Sequence, residues 1–307
     1  MTAFRHPLNK HISLIVAFAL FVTALLALPI TTPAQGLALM NGGGDEPLEI
    51  DAENALEWRR NEKKYVARGN AQARRGEVTL QADTLTAFYR EVDGSTEIYR
   101  IVANGKVRLT SPTEQAKGDE GVYDVDNAVI VLTGKALEIT SATDRITARD
   151  SLEYWETKKI AVARGDARAT RADRKVRGEI LQAHFVEDQQ GDLAVQRMEA
   201  FGNVCLESPN NIARGAKGDY DVPRGIAILE DDVRIAQGPN VLRGAKAEVN
   251  LKTGVSRMLA RGTGVQQQRS GSGRVTGLII PRGGEPQVNG NTGQPVRASK
   301  SAMPPCG

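Results

Sequence analysis

The chain has 307 residues, with 40 Lys and Arg against 37 Asp and Glu, a formal net charge of +3, and only 5% aromatic residues. Charge this balanced, with no basic run, argues against a nucleic-acid binder. The apolar residues are mostly Val, Ile, Leu and Ala, which suit ladders of strands better than a bulky globular core.

Arg5 and Lys10 form a short basic start, no acid precedes Asp45, and Ile12 to Ile30 is apolar. Thr32-Pro33-Ala34 then offers a small-residue cleavage site before Gln35. Residues 1–34 therefore read as a cleavable signal peptide, which places the mature protein in the periplasm of a bacterium. The rival reading is an uncleaved anchor, because the apolar run is nearly long enough to span a bilayer. No cysteine stands near the site, which argues against lipoprotein processing. Residues 35–46, with Gly42-Gly43-Gly44, read as a flexible lead.

From Pro47 the pattern becomes alternation. Leu48, Ile50 and Ala52 share one face of an extended segment while Glu49 and Asp51 share the other. Val78 with Leu80, Val107 with Leu109 and Leu137 with Ile139 follow the same grammar. Turn signals separate these pieces: Arg75-Gly76, Asp93-Gly94, Asp126-Asn127, Thr133-Gly134 and Arg164-Gly165, with Asn104-Gly105 the strongest hairpin signal. A short helix around Ala52 to Arg59 is a weaker expectation.

The chain also repeats itself. Ala67-Arg68-Gly69-Asn70-Ala71 returns as Ala163-Arg164-Gly165-Asp166-Ala167, and Tyr123-Asp124-Val125 returns as Tyr220-Asp221-Val222. Offsets of 96 or 97 residues hold throughout, so one folding unit is present twice and the copies stack edge to edge. The first copy spans 47–169 and a second, partial copy 170–265. From 266 to 307 the chain is rich in Gly, Pro, Ser and Asn, and it reads as a disordered basic tail in which Gly277-Leu278-Ile279-Ile280-Pro281 is the one apolar island. Cys205 and Cys306 are the only cysteines. They are free to pair in an oxidising compartment, but the position of Cys306 in the tail leaves an optional bridge as open as a structural one.

The run Pro47-Leu48-Glu49-Ile50-Asp51-Ala52, then Tyr65 to Ala71 and Val78 to Asp83, resembles the OstA-like domain family, whose members include the soluble periplasmic component of lipopolysaccharide export. Tyr123-Asp124-Val125-Asp126-Asn127-Ala128, leading into Val129 to Gly134, resembles that family's second signature. The resemblance implies an all-β fold, an elongated, twisted, open β-jellyroll or half-pipe of short antiparallel strands with an apolar trough between two sheets. It further implies a carrier that shelters the acyl chains of lipid A during transit to the outer membrane, with no cofactor and no catalytic or metal-ligating residue. Its partners would be lipopolysaccharide, an inner-membrane-anchored OstA-like component and the outer-membrane lipopolysaccharide translocon, with end-to-end self-association also open and no nucleic acid involved. A typical soluble member carries one such domain, and this chain departs from that pattern.

By periodicity alone, Leu48, Ile50, Val78, Leu80, Val107, Leu109, Leu137 and Ile139 read as sandwich core. The resemblance turns them into the lining of a lipid groove, together with Tyr123, Val125 and their duplicates Tyr220 and Val222. The basic pairs Arg74-Arg75, Lys158-Lys159 and Arg174-Lys175 read as solvated turns, a minority of them placed to meet lipid phosphates at the rim. The rims of the half-pipe leave unpaired strands, Leu48-Glu49-Ile50 at one end and Val255 to Ala260 at the other, which invite strand addition. His184 is the one histidine past the leader, and no nucleophile elbow or phosphate loop occurs. The alternative is a β-solenoid that binds or cleaves polysaccharide. Against it, only Trp58 and Trp155 are available as tryptophan platforms for sugars.

Overall fold

The computed structural model describes residues 48–187, 193–209, 211–237, 240–250, 253, 255–260, 275–278 and 303–306. The expected signal peptide and flexible lead lie outside the described residues, as does most of the tail. What is described is almost wholly antiparallel strand.

The strands are long and bent in the middle. β1 (Glu49–Asp51) and β2 (Ala55–Arg59) open the chain, and β3 (Lys64–Arg75), β4 (Val78–Val92), β5 (Ser95–Thr110) and β6 (Glu114–Asp124) follow as successive hairpins. The β3–β4 register shifts between Arg68 and Ala71, and the β5–β6 register shifts between Asn104 and Val107. At these shifts Gly69 (φ 81°) with Asn70 (φ 43°), and Gly105 (φ 80°) with Lys106 (φ 51°), lie in the left-handed region. A β-carbon on Gly69 would stand 2.5 Å from the Asn54 side chain, so only glycine fits. The duplicated Ala-Arg-Gly-x-Ala motif is therefore a bulge that bends the strand. Asn104-Gly105 and Arg164-Gly165, expected as turns, lie inside β5 and β11 (Ile160–Arg171). Two successive positive φ values suit a type I′ turn and a bulge alike; here the chain bends and runs on. The short helix expected around Ala52 to Arg59 is instead strand β2, followed by a single 3₁₀ turn at Arg60–Glu62.

The bends fold one ladder into two layers. The first layer starts at β2 and takes the 64–68 half of β3, then one half each of β4, β5 and β6, then β7 (Val129–Thr133) and β10 (Ser151–Trp155). The second layer starts at β1 and takes the other halves, then β8 (Leu137–Ser141) and β9 (Asp144–Ala148). Both layers continue without a break through β11, β12 (Arg174–Glu187), β13 (Leu193–Ser208), β14 (Asn211–Asp221), β15 (Ile226–Gln237) and β16 (Asn240–Asn250). β17 (Val255–Leu259) ends the first layer and β18 (Thr276–Leu278) the second. The result is an elongated, two-layer open jellyroll.

β9, β10 and β11 repeat β1, β2 and β3 at an offset of 96 residues, and β14 repeats β6 at 97. The strand repeat thus sets the seam between β8 and β9, ahead of residue 170, where the sequence motif put it. The tail, expected to lack structure, is ordered at two points among the described residues. Thr276–Leu278 pairs with β16, and Cys306 is bonded to Cys205, with 5.7 Å between their α-carbons. Arg177 Nη1 donates to the Cys306 carbonyl at 2.9 Å and Arg214 Nη2 to that of Pro304 at 2.7 Å. The bridge is structural.

Candidate lipid trough and its open edge

Strand alternation sends one set of side chains into the space between the layers. In the first unit that set is Ala67, Ala71, Ala73, Leu80, Leu85, Ala87, Ile101, Ala103, Val107, Leu109, Ala116, Tyr123, Ile130, Leu132 and Leu137, all buried in one cluster. Leu80, Val107, Leu109, Tyr123 and Leu137, expected to line a gap, fill this cluster, and Leu109 is only 1% exposed. Leu48, Ile50, Val78, Val125 and Ile139 pack against it half-buried. The residues face inward as the alternation required, but between these layers the space is filled. The physical reason is the run of alanines, which lets the layers approach until Leu, Val and Tyr meet in contact. The second unit has a smaller cluster, Ala200, Val204, Ala213, Leu229, Val233 and Ala247, and its Tyr220 and Val222 are half-buried.

Polar groups gather where the layers end. Tyr123 Oη donates to Glu156 Oε2 at 3.2 Å, and both residues are buried. Burial holds the Tyr123 phenol well above its ordinary value, with the Glu156 carboxylate adding to it and the Arg75 charge opposing. Burial likewise raises Glu156, partly offset by the Tyr123 hydrogen bond, and it raises Glu114, which also feels Asp144. The phenols of Tyr154 and Tyr220 are pushed up to about 12, chiefly by burial. The basic pairs split: Arg74 and Lys175 are exposed, while Arg75 and Arg174 share register positions with inward neighbours. Lys158 stands 4.3 Å over the Trp155 ring, and Lys159 pairs with Glu187 at 2.9 Å. His184 is held by Glu199, Nε2 to Oε2 2.7 Å.

The two ends of the repeat can be compared directly. Leu152 on β10 is 3% exposed, because β7 lies beside it and sets Leu132 opposite. Its counterpart Leu56 on β2 is 59% exposed, and Trp58, the counterpart of Tyr154, is 53% exposed. No described strand lies on the outer side of β2. Trp58 stacks on Tyr65 with centroids 5.7 Å apart, donates from Nε1 to Tyr89 Oη at 3.0 Å, and carries Arg60 over its ring. Leu48, Ile50, Leu56 and Tyr65 surround a shallow concavity at this end. The sequence reading missed Leu56, Leu152 and Glu156; the first two were recoverable from the 96-residue offset, whereas Glu156 replaces an arginine, Arg60, and carried no signal.

A protein of Rhizobium meliloti (strain 1021) described as uncharacterized protein R00383 is 35% identical over 127 residues. The match covers 40% of this chain and 66% of that relative, so the chain spans just under two thirds of the relative's length. LptH of Pseudomonas aeruginosa, described as the LptA-homologous periplasmic component of the lipopolysaccharide transport device, is 25% identical, with 45% of this chain and 95% of that one covered at a TM-score of 0.37. The profile of one family matches twice, over residues 49–150 and 145–255, which together take in more than half of the chain. Two matches, one on each structural unit, place this chain in the LptA/(LptD N-terminal domain) family of lipopolysaccharide transport proteins.

Proposed function

We propose that this chain is a non-enzymatic periplasmic carrier that shelters the acyl chains of lipopolysaccharide between its two layers and passes the lipid along a bridge between the membranes. The observation that carries the reading is the contrast between β10 and β2. Within the chain, one unit joins the next by adding β7 and β8 beside β10 and β9. The β1–β2 edge, which has no outer neighbour among the described residues, offers the same surface to another OstA-like chain. Strand addition there would extend both layers, and the apolar interior with them, into a neighbour. The partners that fit are the inner-membrane-anchored component, the outer-membrane translocon and a second copy of this chain.

Apolar burial supplies the affinity, at roughly 0.8 kcal/mol per methylene, without requiring a single polar anchor. The test is retention of labelled lipopolysaccharide by the mature chain in gel filtration, run beside polysaccharide freed of lipid A. Retention of the first alone supports the carrier. Retention or cleavage of the second would instead establish the polysaccharide-binding β-solenoid.

A further inference from the structure

The two units share one fold but not one interior, and the difference is seen at equivalent positions. Leu80 and Leu85 of the first unit are buried, while their counterparts Val176 and Leu181 are half-buried. The same holds for Ile101 against Met198, Leu109 against Leu206, and Tyr123 against Tyr220. These are inward positions, since Met198 pairs with Tyr220 as Ile101 pairs with Tyr123. Distance from the chain end does not explain the contrast, because β12 and β13 lie inside the stack with β14, β15 and β16 beyond them.

The rims differ in the same sense. In the first unit the Arg75 charge, from the second layer, acts on the Tyr123 hydroxyl of the first layer, which in turn donates to Glu156. In the second unit the counterpart of Arg75 is Arg171, and it forms an ion pair with Asp144 of its own layer. The Tyr220 hydroxyl is buried and has no hydrogen-bond partner among the described residues. A buried hydroxyl without its hydrogen bond is unfavourable, and an incoming acceptor relieves it.

We infer that the second unit is the lipid-receiving segment of the chain and that the first unit, packed shut between its layers, is the docking one. The inference rests on the carrier reading above and names its site. The occupant is the acyl portion of lipopolysaccharide. The family profile that matches 145–255 is that of lipopolysaccharide transport, the half-open positions are apolar, and the Tyr220 hydroxyl offers a donor to a glycolipid oxygen where the chains enter.

Hydroxyl-radical footprinting of the unmodified chain, with and without lipopolysaccharide, tests this. Met198, Leu206 and Tyr220 should react without lipid and become protected with it, while Ile101, Leu109 and Tyr123 stay unreactive in both states. A photo-crosslinking residue at Met198 should capture lipid, and one at Ile101 should not. Met198→Asp should weaken lipid retention roughly tenfold. If lipopolysaccharide is retained but the second unit shows no protection, or Ile101 crosslinks as well as Met198, the assignment of the site is wrong while the carrier reading stands. If no lipopolysaccharide is retained, the carrier reading fails and the site falls with it.

Discussion

Leu56 and Leu152 are the same residue type at the same point of the repeat, so truncating each to alanine isolates the effect of a neighbouring strand. Leu152 is 3% exposed beneath Leu132 of β7, and its loss opens a cavity inside a packed cluster. Such Leu→Ala changes cost about 2–5 kcal/mol. Leu56 is 59% exposed, so only about two fifths of its area leaves water on folding. Full burial of a leucine is worth about 1.5–3 kcal/mol, which puts the cost of Leu56→Ala near 1 kcal/mol or below. The assay is urea unfolding of residues 35–307 at a protein concentration where they are monomeric, comparing midpoints at equal slope. Leu152→Ala should shift the midpoint several times further than Leu56→Ala. Affinity for a second OstA-like chain should show the reverse order, because Leu56 becomes buried only in the complex whereas Leu152 is buried in both states. Equal destabilisation of the isolated chain would mean that β2 is already covered, and the open-edge argument would be lost.

Three further predictions concern single sites. Burial raises Glu156 above its ordinary 4.5, so the folded state favours its protonated form; its contribution is greatest at low pH and is lost as pH rises through the raised value. The stability of wild type minus that of Glu156→Gln should therefore fall between about pH 4.5 and neutrality, and thermal melts showing a rise would contradict the assignment. Cys306→Ser opens a bridge between residues 101 apart, for which chain entropy predicts a loss of about 4.7 kcal/mol and practice about 2–5; reductant should lower the melting point of wild type but leave the variant unmoved. Gly165→Ala sets a β-carbon 2.2 Å from Asp150 at φ 80°, whereas Gly94 at φ 81° has open space around it. Both changes meet the left-handed penalty of about 1–2 kcal/mol, and Gly165→Ala should exceed Gly94→Ala by at least about 1 kcal/mol in denaturant titration.

How much of this was legible in the sequence depends on what each signal measures. Alternation reports which way a side chain faces, and it placed Leu80, Leu109 and Leu137 inward correctly. It does not report how far apart the two layers stand, so the filled first unit and the half-open second read alike. Gly105 and Gly165 carry turn signals, and the structure gives both a positive φ. Turn and bulge make the same local demand, and only the strand partner beyond the glycine decides between them. The Cys205–Cys306 bond joins β13 to a residue 101 positions away, which no periodicity encodes. The resemblance to the OstA-like family supplied the architecture, while the join between β7–β8 and β9–β10 had to be seen as pairing.

The claim beneath all of this is that lipid chains enter the space between the layers. Methyl-labelled protein of residues 35–307 mixed with lipid A gives the most direct measurement, through nuclear Overhauser contacts between acyl methylenes and assigned methyl groups. The account predicts contacts to inward methyls of the second unit, at Leu181, Leu206 and Ile235. Contacts confined to Val186, which is exposed on β12, with none to those three, would contradict it.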